Sequence, residues 1–153
     1  MNLSKSYKIL FPSKIGEERR KKHKNKHLRK IKRYIENGSE GDLDICNSPL
    51  EYLPYGLVIN GDLIIDNSEI KKLPEDIIIN GDLGMTNTQI EYLPEGLSVF
   101  NLYASNSSLK TLPKNFKSKG IVFYKNTPMF FSEKNNPSFL KNLIYNKKSK
   151  NHK

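Results

Sequence analysis

Cysteine is nearly absent: Cys46 stands alone in 153 residues. That excludes an intramolecular disulfide framework and fits a reducing, intracellular setting. Long apolar runs are missing as well. Ile9-Leu10-Phe11 spans three residues with no small-residue cleavage site after it, so it is no signal peptide, and nothing approaches the roughly 20 apolar residues of a membrane span. Hydrophobic content is 36%, below the roughly 45–50% of globular domains on a count that includes Gly, which excludes a large core spread over the whole chain. No Gly-rich phosphate loop, metal-ligand quartet or Ser/His/Asp constellation is present. These absences speak against an enzyme, a metal site, a cofactor and a small-molecule substrate.

Acid is scarce at both ends. Residues 1–40 carry 13 basic and 4 acidic residues, and residues 114–153 carry 10 and 1; the centre, 41–113, reverses the balance with 3 and 11. The length suits one compact domain. Charge and the repeat described next together divide it into a basic N-terminal extension and helix (1–40), a central unit (41–129), and a C-terminal cap with a basic tail (130–153).

The central unit is a repeat. Leu53-Pro54, Leu73-Pro74, Leu93-Pro94 and Leu112-Pro113 recur at spacings of 20, 20 and 19. Asn47-Ser48, Asn67-Ser68, Asn87-Thr88, Asn106-Ser107 and Asn126-Thr127 keep the same period, as do Gly41-Asp42-Leu43, Gly61-Asp62-Leu63 and Gly81-Asp82-Leu83. Apolar positions in each unit follow neither helical nor extended alternation throughout, which is the pattern of a solenoid coil. Leu63 and Ile65 read as a short strand with inward side chains. Ser68, Ile70, Leu73 and Ile77 continue inward, Pro74 suits the non-strand arc, and Gly61 and Gly81 permit a tight turn. The additional pair Leu57 and Ile59 predicts a second short β segment on the other face of each coil.

The wording L-x-L-x-x-[NCT]-x-L-x-x-L-P resembles a leucine-rich repeat, with Ser48, Ser68, Thr88, Ser107 and Thr127 at the position where that family has Asn, Cys or Thr. L-P-E-G-L at Leu93 to Leu97 is similar to the short repeats of bacterial type III effectors, and I-N-G-D-L is similar to small repeat proteins of bacteriophages and other large DNA viruses. The resemblance covers about residues 41–129. It implies a leucine-rich-repeat-like solenoid of about five coils of about 20 residues with short parallel strands, and a viral source. Asn60 and Asn80 replace the family's leading leucine. The ubiquitin-ligase domain of the bacterial effectors has no counterpart here, and Cys46 lies inside the first repeat.

A solenoid exposes apolar residues at both ends and needs caps. Residues 14–37 form a basic helix pattern in which Leu28, Ile31 and Ile35 share a face with Tyr34 beside them, stopped by Asn37-Gly38. Glu17 through Lys26 contain no apolar residue and are expected to project into solvent. At the other end Asn136-Pro137 begins a capping helix with Phe139, Leu140, Leu143 and Ile144 on one face.

Two surfaces are candidates for function. The strand face carries Asp42, Asp44, Asp62, Ile64, Asp66, Tyr103, Phe123 and Lys125, running from acidic to aromatic and basic, and suits a protein partner with a basic patch and an apolar anchor. The helix carries Arg19, Arg20, Lys21, Lys22, Lys24, Lys26, Arg29, Lys30, Lys32 and Arg33, a charge density that attracts DNA, RNA or another polyanion without reading sequence. His23 and His27 at i, i+4 lack the Glu of an H-E-x-x-H site and read as two solvated histidines. The Asp columns read as structure and surface charge, and the Asn column as a hydrogen-bonding ladder between coils. The expectation is a non-enzymatic binding protein; the alternatives are a virion or assembly component packed among other subunits, and an inhibitor of a host enzyme.

Overall fold

A computed structural model describes residues 14–134. Helix α1 (Lys14–Glu36) leads into nine two-residue strands: β1 (Leu43–Asp44), β2 (Val58–Ile59), β3 (Leu63–Ile64), β4 (Ile78–Ile79), β5 (Leu83–Gly84), β6 (Ser98–Val99), β7 (Leu102–Tyr103), β8 (Lys117–Ser118) and β9 (Val122–Phe123). A seven-residue helix, α2 (Pro128–Lys134), ends the described chain. The odd-numbered strands form one parallel sheet in the order β1-β3-β5-β7-β9, and on the other face β2 pairs with β4 and β6 with β8, also in parallel. This is a β-solenoid, and the second β segment expected from Leu57 and Ile59 is there. Five strands of one sheet bound about four turns, one fewer than the five coils counted from the motifs. After β9 the chain enters α2 instead of closing a fifth coil.

The core is a stack of columns one coil apart. Leu43, Leu63, Leu83 and Leu102 face one another in register, and Ile45, Ile65, Met85 and Ala104 form the next column, every one of them buried. Ile70, Ile90 and Leu109, then Leu53, Leu73 and Leu93, continue the interior round the arc. At the last coil Leu112, Phe116, Val122 and Tyr124 are only partly covered. Met129 of α2 is buried against this end, and Phe130 meets Tyr124 edge to face at 6.3 Å. The capping helix expected from Asn136-Pro137 lies outside the described residues, as does the basic tail.

The N-[ST] dipeptide turns each corner. Asn47, Asn67, Asn87, Asn106 and Asn126 all have φ between 55° and 59°, a left-handed conformation that Asn tolerates better than most residues. The hydroxyl behind each Asn is buried, and in the later coils it satisfies the strand it follows: Thr88 donates to the Met85 carbonyl at 2.8 Å, Ser107 to the Ala104 carbonyl at 2.6 Å and Thr127 to the Tyr124 carbonyl at 2.8 Å. The Asn side chains do form rungs, Asn87 to Asn67 at 2.8 Å and Asn126 to Asn106 at 3.0 Å. They lie on the surface, however, so the column exists for its backbone conformation and not to reach groups hidden from water.

The Gly-Asp dipeptide stacks one coil on the next. Each Asp accepts the backbone N–H of its successor, Asp62 to Asp42 at 2.8 Å and Asp82 to Asp62 at 2.7 Å, and Asn101 continues the column by accepting from Ile121 at 2.7 Å. A Cβ on Gly61 would fall 2.2 Å from Asp42 Oδ1 and 2.5 Å from the Gly41 carbonyl. Gly61 and Gly81 are thus required for close approach, not for the tight turn the sequence suggested. One coil departs from the period: where Asn80-Gly81-Asp82 has three residues, Phe100-Asn101 has two, which accounts for the single spacing of 19.

Helix α1 covers the first coil with a face different from the expected one. Ile31, Tyr34 and His27 are buried, whereas Leu28 and Ile35 are exposed by 45% and 46%. Tyr34 decides the face, because its hydroxyl lies 2.7 Å from the Ser39 carbonyl and 2.9 Å from that of Gly41, and accepts the Asn60 N–H at 3.2 Å. Leu28 and Ile35 instead border an open apolar groove with Tyr52, Leu53 and Pro54. The N-terminal half of α1 does not simply project into solvent, since Arg20 forms an ion pair with Glu69 of the second coil.

Candidate interaction surfaces

The cations of α1 are sorted by helical geometry. At about 100° per residue, Arg19, Lys22, Lys26, Arg29, Lys30 and Arg33 fall within one flank, all of them exposed. Arg20 points down to Glu69, and Lys32, on the solvent side, sits 3.6 Å from Glu36. The six flank cations make no ion pair among the described residues. They run for about 21 Å at 1.5 Å per residue. Lys21 and Lys24 lie off this flank, so the ten cations named from the sequence divide into a continuous stripe and four side chains directed elsewhere.

Where the stripe meets the first coil, Lys26, Arg29, Lys30, Arg33, His23 and His27 line a cleft of about 720 Å³ whose other wall is Asp44, Cys46 and Asn47. Asp44 accepts the Cys46 N–H at 2.9 Å, and this bond holds its carboxyl below the usual range, helped by Lys30 and His27. Burial and the Asp44 carboxylate push the Cys46 thiol up to about 11, which keeps it protonated and unreactive near neutral pH. Among the described residues no group of three or more His, Cys, Asp or Glu side chains is placed to hold a metal ion, and no helix is long and apolar enough to cross a membrane.

His27 is the residue the sequence misplaced. Instead of lying in solvent it is 7% exposed, with Nε2 at 3.1 Å from His23 Nε2 and Nδ1 buried without a partner. One of these two nitrogens donates to the other, with the roles set by the tautomer. Burial, then His23, Lys26 and Lys30, lower the His27 pKa below its ordinary 6.5, against a smaller opposing pull from Asp44. The unfolded imidazole therefore binds a proton that the folded one refuses, so stability is complete above about pH 6.5 and declines as pH falls from there toward the folded pKa. His27→Gln should flatten this decline when urea unfolding is compared at about pH 7.5 and 5.5; equal pH dependence in both proteins would refute it.

The strand face holds what the sequence placed on it, in altered roles. Asp42, Asp62 and Asp66 spend a carboxylate oxygen on the backbone of the following coil, the last through Thr86 N–H at 2.7 Å, and Asp44 spends one on Cys46. Asp42 and Asp44 are exposed; Asp62, Ile64 and Asp66 are half-buried. Gly84 follows Ile64 in the same column, and then come Tyr103 at 40% and Phe123 at 51% exposure, with Lys125 beyond. Among the described residues, Phe130 packs on Tyr124 and not on Phe123, which is half exposed. The sequence did not reveal the flank of α1 or the buried histidine. A helical wheel would have grouped the cations, but only the packing of Tyr34 tells which way the wheel is turned.

No protein-family model matches the chain, and neither the curated proteins nor the solved structures contain a match.

Proposed function

We propose that the chain is a non-enzymatic binding protein whose α1 flank holds a polyanion, DNA or RNA among them, while the solenoid serves as the rigid body that presents it. The observation carrying this reading is the stripe Arg19, Lys22, Lys26, Arg29, Lys30 and Arg33, six exposed cations on one flank with no ion pair among the described residues. Cations that stabilised the fold would be expected to find carboxylates, as Arg20 does with Glu69. Phosphate contacts of this kind position a strand without reading its bases, and each releases a counterion. Replacing Lys22, Lys26, Arg29 and Lys30 together by Gln should weaken binding to all DNA and RNA sequences alike and reduce the logarithmic salt slope by up to roughly 2.8–3.6, at about 0.7–0.9 per phosphate contact. Lys24→Gln and Lys32→Gln, off the flank, should change the slope far less. A fluorescence titration showing no binding at about 50 mM salt, where electrostatic attraction is only weakly screened, would eliminate the reading.

A protein partner on the strand face is a second reading. The exposed carboxylates of Asp42 and Asp44, with Ile64 beside them, support it, because they suit a basic patch with a small apolar contact.

A further inference from the structure

In a repeat protein, positions that keep the period serve the stack, and positions that break it are free to serve something else. The strand-face column reads Asp44, Ile64, Gly84 and then turns aromatic at Tyr103 and Phe123. Neither ring supports the core, since both are exposed while Leu102 and Val122 beside them face inward. The two stand in register on neighbouring parallel strands, which places them about 4.8 Å apart on one open face. The strand-face columns are free of carboxylates by this point. The Asp42, Asp62 and Asp82 column becomes Asn101 here, and the column of Asp66, already neutral at Thr86, runs on through Ser105 to Lys125. Between Glu95 and Glu133 the sequence has no Asp or Glu and five lysines. Lys114, Lys117, Lys119 and Lys125 make no ion pair among the described residues, and Lys125 emerges on the same side as Phe123, two residues on.

We propose that this ledge is a second binding site, which takes unpaired bases of single-stranded nucleic acid stacked on Tyr103 and Phe123, with Lys125 holding the adjoining phosphate. Two exposed aromatic rings near a cation, in coils cleared of negative charge, supply what stacking of single strands requires. It goes beyond the α1 reading, because α1 answers to charge alone and the ledge answers to bases. The acidic first three coils lie between the two, so a strand on the ledge does not continue along the sheet to α1.

The test uses the full chain and three probes in fluorescence anisotropy: a labelled twelve-residue oligothymidylate, an abasic oligomer of the same length, and heparin. Wild type should bind the thymidylate more tightly than the abasic strand. Tyr103→Ala and Phe123→Ala should each weaken thymidylate binding by roughly 5- to 150-fold, the equivalent of one lost stacking contact, and leave abasic and heparin binding unchanged. Phe123→Tyr should restore it. Equal affinity of wild type for the thymidylate and the abasic strand, or alanine variants that bind thymidylate like wild type, would overturn the proposal and leave the two rings as anchors for a protein. Loss of heparin binding on replacing the α1 flank, with the base preference intact, separates failure of the first site from failure of this one.

Discussion

Leu73→Ala is expected to destabilise the protein by about 2–5 kcal/mol, the range for truncating a fully buried leucine in a core that relaxes only partly. Leu73 has no exposed surface and sits between Leu53 and Leu93, each of them buried in the coil above or below. Those neighbours are held at the coil spacing by backbone hydrogen bonds, such as Ile78 N–H to the Leu57 carbonyl at 3.1 Å and Asn80 N–H to that of Ile59 at 2.9 Å. The coils therefore cannot close on the void. Because each coil contacts only its neighbours, the loss falls in the middle of the stack, where both halves depend on the interface. Tyr55→Ala in the previous coil, at 83% exposure, is the control and should stay within about 0.5 kcal/mol. Urea unfolding of the two variants checks the pair; a loss under about 0.5 kcal/mol for Leu73 would mean that the register is wrong.

Gly81→Ala should be among the most damaging changes outside the apolar core, at about 1–3 kcal/mol or more, the cost of forcing atoms into a well-packed site. The added Cβ meets Asp62 Oδ1 at 2.3 Å and the backbone carbonyl of Gly61 at 2.6 Å. The Asp62 side chain could move only by giving up the Asp82 N–H, and the Gly61 carbonyl already accepts the Gly81 N–H at 3.0 Å. Removing the carboxylate as well, in Asp62→Ala/Gly81→Ala, should relieve little, because the backbone contact remains. Gly56→Ala provides the contrast: its φ of 69° strains an alanine, yet nothing lies within 4 Å, so its loss should be near 1 kcal/mol. If Gly81→Ala proves as mild as Gly56→Ala in denaturant unfolding, the Gly-Asp dipeptide is a turn and not a stacking device.

The solenoid was legible in the sequence because its period is one of translation. Leu63, Ile65, Ile70 and Leu73 each recur at 20 residues, and a recurring apolar residue has few reasons to exist except to face its copies. The conformation of the recurring polar residues was hidden. Asn67 could serve as a ladder or as a left-handed corner, and Gly61 as a turn or as a close approach; composition is the same in both cases, and only backbone geometry separates them. Helix α1 misled for a different reason. Leu28 and Ile35 form the apolar stripe that hydrophobic periodicity selects, yet the helix is turned by the Tyr34 hydroxyl, which finds three backbone partners at the start of the first coil. That rotation buried His27 and gathered six cations on one side.

The uniformity of the coils has its own consequence for assembly of the fold. Every Gly-Asp and Asn-Ser step offers the same donors and acceptors as the next, so a growing stack could close one coil out of place and still satisfy nearly all its backbone groups. Two features index the correct alignment. Tyr34 has no copy in the repeat, and it fixes where the first coil begins. The coil that carries Phe100-Asn101 is one residue short, so any stack displaced by a whole coil would set 19 residues against 20 and lose the Asp82 to Asn101 and Asn101 to Ile121 hydrogen bonds together. A residue inserted between Phe100 and Asn101 would leave the interior intact while erasing that mark, and refolding would then slow through misaligned intermediates even where the final stability changed little.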